Sequence, residues 1–102
     1  MTVANPLRGE AELVVEGRAL LLRPTFDALV CAEEELGSLF ALAERAGAGE
    51  LRLHEIVALF WHCLHDASMS REAVGRAVVN MGIAAAAKPL RTLLAQIFQG
   101  TG

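Results

Sequence analysis

Residues 53–66, LHEIVALFWHCLHD, constrain this chain more than any other stretch. Wound at about 100° per residue, they place Leu53, Ile56, Val57, Phe60, Cys63, Leu64 and Ala67 on one broad apolar face. His54, Glu55, His62, His65 and Asp66 fall on the opposite side, which Leu59 interrupts, and Trp61 sits at the margin. No other segment holds as much large apolar surface. A central helix over residues 53–67 is therefore expected, with the rest of the chain packed around it.

At 102 residues the chain suffices for one domain, 1–102, near the lower edge of comfortable single-core size. Its hydrophobic fraction of 54% and mean hydropathy of +0.41 are high for that length, although alanine supplies much of the excess. The remainder points to apolar surface reserved for a partner, because monomers rarely expose large contiguous patches. The net charge is -3 with no cluster of basic residues, which argues against nucleic acid as the main ligand. Cys31 and Cys63 both lie in apolar helical patterns and read as buried thiols in a reducing cytoplasm rather than a disulfide. MTVANPLRGE does not read as a secretory leader. The runs IVALFW and GIAAAA fall far short of the roughly 20 apolar residues that cross a bilayer, so no membrane partner is expected.

In chain order, residues 1–8 read as a flexible start. Ala11, Leu13 and Val15 alternate with Glu10, Glu12, Val14 and Glu16, a half-buried strand. Glu16-Gly17 supplies a two-residue turn, and RALLLR over residues 18–23 returns as a second strand. Pro24 stops it and Thr25 caps a helix over residues 26–36, where Phe26, Leu29, Val30, Glu33 and Leu36 recur at helical spacing. Gly37 and Ser38 end that helix and start another over residues 39–46, with Leu39, Leu42 and Ala43 inward. After Gly47-Ala48-Gly49 and the central helix, Ser70 opens residues 71–81, with Val74, Ala77, Val78 and Met81 on one side and Gly82 as its cap. Gly75 within it suggests a close helix–helix approach. Residues 83–87 read as an alanine-rich connection, Pro89 starts a last helix over residues 89–99, and residues 100–102 fray.

No constellation of residues forms an active site. His62 and Asp66 make an i, i+4 pair, but zinc takes three or four ligands, and His54 lies about 16 Å along the axis from His65. Cys63 and His62 point about 100° apart, so neither activates the other. Glu33-Glu34-Glu35 reads as a solvated helix side, and residues 47–49 lack the lysine of a phosphate loop. No catalytic residue, cofactor or metal is expected, and no enzyme. The candidate partner-binding residues are the C-terminal stripe Leu90, Leu93, Leu94, Ile97 and Phe98, together with Trp61; completion of the core is the competing role for the stripe. The outer hairpin edge, guarded by little beyond Glu10, Glu12 and Arg23, is a second place for pairing, including with another copy as a homo-oligomer.

The order of parts carries a resemblance. Arg8-Gly9-Glu10, the turn at Gly17-Arg18, the strand exit Leu22-Arg23-Pro24-Thr25, and a helix from Ala28 to Gly37 enclosing Glu33 to Glu35 follow one another. SLFALAERAGAGELRLHEIVALFWHCLHDA, EAVGRAVVNMG and a final alanine-rich helix complete the series. In this order the chain resembles the small tail proteins of phages and of phage-derived gene transfer agents over nearly its whole length. It departs from them in the histidines and tryptophan of the central helix.

The resemblance implies a non-enzymatic tail-module protein, either a tail assembly chaperone or a minor structural component of the tail tube or head-tail region. A chaperone would hold the tape measure protein, or a tail tube subunit, in the bacterial cytoplasm during particle assembly. A structural component would be virion-associated, joined through its hairpin edge. The expected fold is α+β, an N-terminal β-hairpin packed on a bundle of about five short helices.

Overall fold

A computed structural model describes residues 9–64 and 68–99. The expectations for residues 1–8 and 100–102, and for His65, Asp66 and Ala67, lie outside the described residues. Two strands lead into five helices: β1 (Ala11–Val15), β2 (Arg18–Leu22), α1 (Phe26–Leu36), α2 (Leu39–Gly47), α3 (Leu53–Cys63), α4 (Arg71–Met81) and α5 (Ile83–Gln99). The architecture is the α+β hairpin on a helix bundle.

The hairpin follows from its alternation and its turn. Ala11, Leu13 and Val15 are buried while Glu12 and Val14 face outward, and Val15 pairs with Arg18 across a two-residue turn. Glu16 and Gly17 both take positive φ, 53° and 78°, the backbone that matches the strands' own twist. Glycine at the second position adopts it without the Cβ penalty. Two strands alone are marginal, and β1 is held from one side by α4 and α5.

Local chemistry sets most helix starts. Thr25, Ser38 and Ser70 each accept a hydrogen bond from the backbone N–H three residues on, at 3.2, 3.2 and 3.1 Å. Gly37 and Gly82 end α1 and α4 with φ of 83° and 88°, so helix reversal occurs where glycine stands.

Three features of the central region differ from expectation. First, α3 stops at Cys63 instead of running to residue 67. Leu64 turns extended and forms an antiparallel bridge with Leu22, and Arg23 N–H donates to the Cys63 carbonyl at 2.7 Å. Pairing with β2 outweighs the helical pattern there. Second, α3 is enclosed on nearly all sides: Ala58 and Leu59 are as buried as Ile56, Val57, Phe60 and Cys63, and Glu55 is buried too, whereas Leu53 is exposed. α3 packs between α1 and α4, which accounts for the extra coverage. Third, the 83–87 connection is helical, making α5 one continuous helix through Pro89. Alanine is the strongest helix former, and Ala86 is buried against the core, so that turn is held despite the proline.

Gly75 does not mark a tight crossing. A Cβ there would meet the nearest Val57 methyl at 3.8 Å, an ordinary contact. Gly75→Ala is expected to raise stability by about 0.5–1 kcal/mol, through helix propensity and a less flexible unfolded chain. A chemical denaturation curve reads it directly; a destabilised variant would show that α3 and α4 tolerate no methyl between them.

Candidate interaction surfaces

The C-terminal stripe divides between core and surface. Leu93 is fully buried and Leu90 nearly so, so both are committed to the core; Leu94 and Ile97 are half-buried against it. Phe98 stays 51% exposed, and its ring meets Phe40 of α2, itself 59% exposed, edge to face at 5.0 Å. Such a pair gains from its geometry but leaves much apolar ring area in water. Beside it, α2 and α5 enclose an open groove of about 680 Å³, lined chiefly by Ala43, Ala46, Leu90, Arg91, Leu94 and Phe98. The alanines keep its floor low. Phe40 was absent from the sequence candidates because its helix signalled only the inward face of Leu39, Leu42 and Ala43; an aromatic one position outside that face was the available sign.

Trp61 lies on a different face. Half-buried, it donates from Nε1 to the Met69 carbonyl at 3.1 Å, and the Arg71 guanidinium covers its ring at 4.5 Å. A cavity of about 340 Å³ opens here, lined by Thr25, Asp27, Cys31, Trp61, His62 and Met69 among others. Trp61 and the C-terminal stripe therefore serve separate surfaces.

The same region corrects two sequence readings. Glu35 is not merely solvated: it takes a hydrogen bond from Arg71 Nη2 at 2.9 Å and from His62 at 2.8 Å. An ionised carboxylate only accepts, so His62 Nε2 carries the proton in that bond. Arg71 first, and His62 second, hold the Glu35 carboxyl at about 2, well below its ordinary value. The second correction is Cys31, which is exposed; only Cys63 is the buried thiol expected, pushed up to about 12 by burial. Among the described residues, no group of three or more His, Cys, Asp or Glu side chains gathers to hold a metal.

Glu55 forms the other charged cluster, on the side of α3 expected to face water. Its two oxygens receive both Arg45 terminal nitrogens at 3.0 and 2.7 Å, and Oε1 also accepts from the Arg52 backbone N–H at 2.9 Å. Arg45, then the Arg52 amide, hold this carboxyl at about 2. Its geometry ties α2 to the start of α3 and serves structure.

A family model described as phage tail tube protein, GTA-gp10, matches residues 8–100. Comparison with curated proteins and with solved structures finds no match.

Proposed function

The chain belongs to the GTA-gp10 family of phage tail tube proteins, and from that premise we propose that this tail protein is a non-enzymatic assembly chaperone, acting in the bacterial cytoplasm while the particle is built. Its task is to hold an apolar helix of another tail protein, the tape measure protein in the leading case, along the groove between α2 and α5. The observation that carries this reading is the Phe40–Phe98 pair, two large rings kept half in water beside a shallow groove floored by alanine. A helix laid there would cover both rings and Leu94, the arrangement by which amphipathic helices are held in grooves. Among the described residues the groove offers shape and apolar area, with Arg91 and Gln99 as its polar lining.

A second reading has its own support. The family description names the tail tube itself, and among the described residues β1 pairs only with β2, which leaves its outer backbone edge available for strand addition. On that reading the protein stays in the finished tail, joined through the hairpin.

Co-purification from particle-producing cells, beside mass spectrometry of finished particles, separates the two. A chaperone is recovered with the tape measure protein and is missing from particles; a structural subunit is present in particles in fixed ratio. The double variant Phe40→Asp with Phe98→Asp is expected to fold and to lose at least about tenfold in affinity for the groove's partner, since exposed aromatic anchors concentrate binding energy. Undiminished recovery of the tape measure protein with that variant would remove the groove from the account.

A further inference from the structure

We propose that the outward face of α1, with the cavity at Trp61, is a second docking surface, and that it receives a basic, apolar segment of another polypeptide. This does not rest on the groove between α2 and α5, with which the cavity shares no lining residue. It starts from an inversion of the expected helix face. Phe26, placed among the spaced apolar residues of this helix, is 82% exposed, and Val30 is exposed as well.

At about 100° per residue, Phe26, Val30, Glu34, Asp27 and Cys31 occupy about 140° of arc, and all five are exposed. The core-facing side of α1 is served by Ala28, Leu29, Ala32 and Leu36. The helix thus carries apolar side chains on both sides, and among the described residues only one side is covered. Asp27 and Cys31 belong to the stripe and also line the cavity, so stripe and cavity form one surface.

Charge decides what fits. α1 carries four carboxylates and no base. Two are engaged within the fold: Glu33 accepts the Leu39 backbone N–H at 3.1 Å, and Glu35 is held by Arg71 and His62. Asp27 and Glu34 have no ion pair among the described residues, and both lie on one side of Phe26 and Val30, about 40–60° round the helix from Val30. A partner that covers the two apolar side chains must therefore bring Lys or Arg to these two carboxylates and can seat an apolar side chain against Trp61 and Met69. Nucleic acid and anionic membrane surfaces are repelled by the same carboxylates. Complementary charge of this kind steers encounter and selects partners.

Trp61 is the chain's only tryptophan, so its emission reports on this cavity directly. The probe is a synthetic amphipathic helical peptide of Leu and Lys, with the same peptide carrying Glu in place of Lys as control. The Leu/Lys peptide is expected to change Trp61 emission saturably, and the control is not. The double variant Asp27→Asn with Glu34→Lys alters only exposed side chains, and it should weaken the interaction by about tenfold or more, with a flatter salt dependence. Phe98→Asp should leave it unchanged, which keeps this surface distinct from the groove.

Equal affinity for the Asp27/Glu34 variant, equal binding of the Glu peptide, or unaltered Trp61 emission would each overturn the assignment. Concentration-dependent self-association of the protein alone, lost in that variant, would overturn it in favour of a second copy. As a second readout, Cys31 bearing a photo-crosslinker should join the Leu/Lys peptide, while Cys63 is buried and does not label.

Discussion

Phe60→Ala is expected to lower folding stability by about 3–5 kcal/mol. Phe60 is the largest fully buried side chain and sits midway along α3, the helix packed against both α1 and α4. Truncation removes ring area from the core and leaves a void that two flanking helices cannot both close. A domain of this length has on the order of 5–15 kcal/mol in total, so the variant should be partly unfolded near physiological temperature. Denaturant titration followed by circular dichroism measures it. An unchanged midpoint would mean that α3 is not the centre of this fold.

Glu55→Ala comes next, with an expected loss of about 2–4 kcal/mol. The substitution deletes the acceptor of both Arg45 nitrogens and of the Arg52 amide, three interactions that share one carboxylate. The same group gives stability a pH dependence. Its carboxyl is held at about 2 in the fold against an ordinary 4.5, so its folded pKa is depressed. The stabilisation is then complete above about 4.5, where the unfolded carboxyl is also ionised, and is lost as pH falls through that window toward 2. Glu35, likewise held at about 2, acts in the same window and in the same direction. Glu55→Gln should reduce the loss of thermal stability between pH 5 and pH 2.5, and combination with Glu35→Gln should flatten it further. A wild-type midpoint that is constant across this range would contradict both ion pairs.

Whatever local chemistry determines was legible in the sequence. The hairpin, its turn at Glu16-Gly17, the caps at Thr25, Ser38 and Ser70, and the reversals at Gly37 and Gly82 each depend on a few neighbouring residues. Family membership was legible too, because the order of such features runs almost from end to end. What a helical wheel cannot register is the partner on its other side. Leu59 and Glu55 look solvent-facing on a wheel of the central helix; they are buried because α1 and α4 enclose α3, and Arg45 arrives from α2 to neutralise Glu55. Phe26 shows the reverse, a residue whose apolar character suggested burial and which stays exposed, its side of α1 covered by none of the described residues. The early end of α3 was hidden for the same reason, since it depends on a strand more than 40 residues earlier in the chain.

The candidate surfaces were half legible. The C-terminal stripe was visible as periodicity, but periodicity gives a core seam and a docking face the same signature. Only the positions of Leu93 inside and Phe98 outside divide them. Phe40 and the α1 stripe carried weaker signs, single aromatics on helices whose inward faces were already accounted for.

The bridge between Leu22 and Leu64 also bears on the order in which the molecule can form. The hairpin precedes the five helices in the chain, yet the outer edge of β2 is closed at Leu22 by a residue that follows the whole of α3. Closing so long a loop carries an entropic cost that short-range helix contacts do not. Closure of that edge therefore waits for α3 to be in place, while α5, which packs against β1, supplies one wall of the groove. A ribosome-bound chain that has not yet reached α5 lacks that wall, so this surface cannot form before α5 has been made.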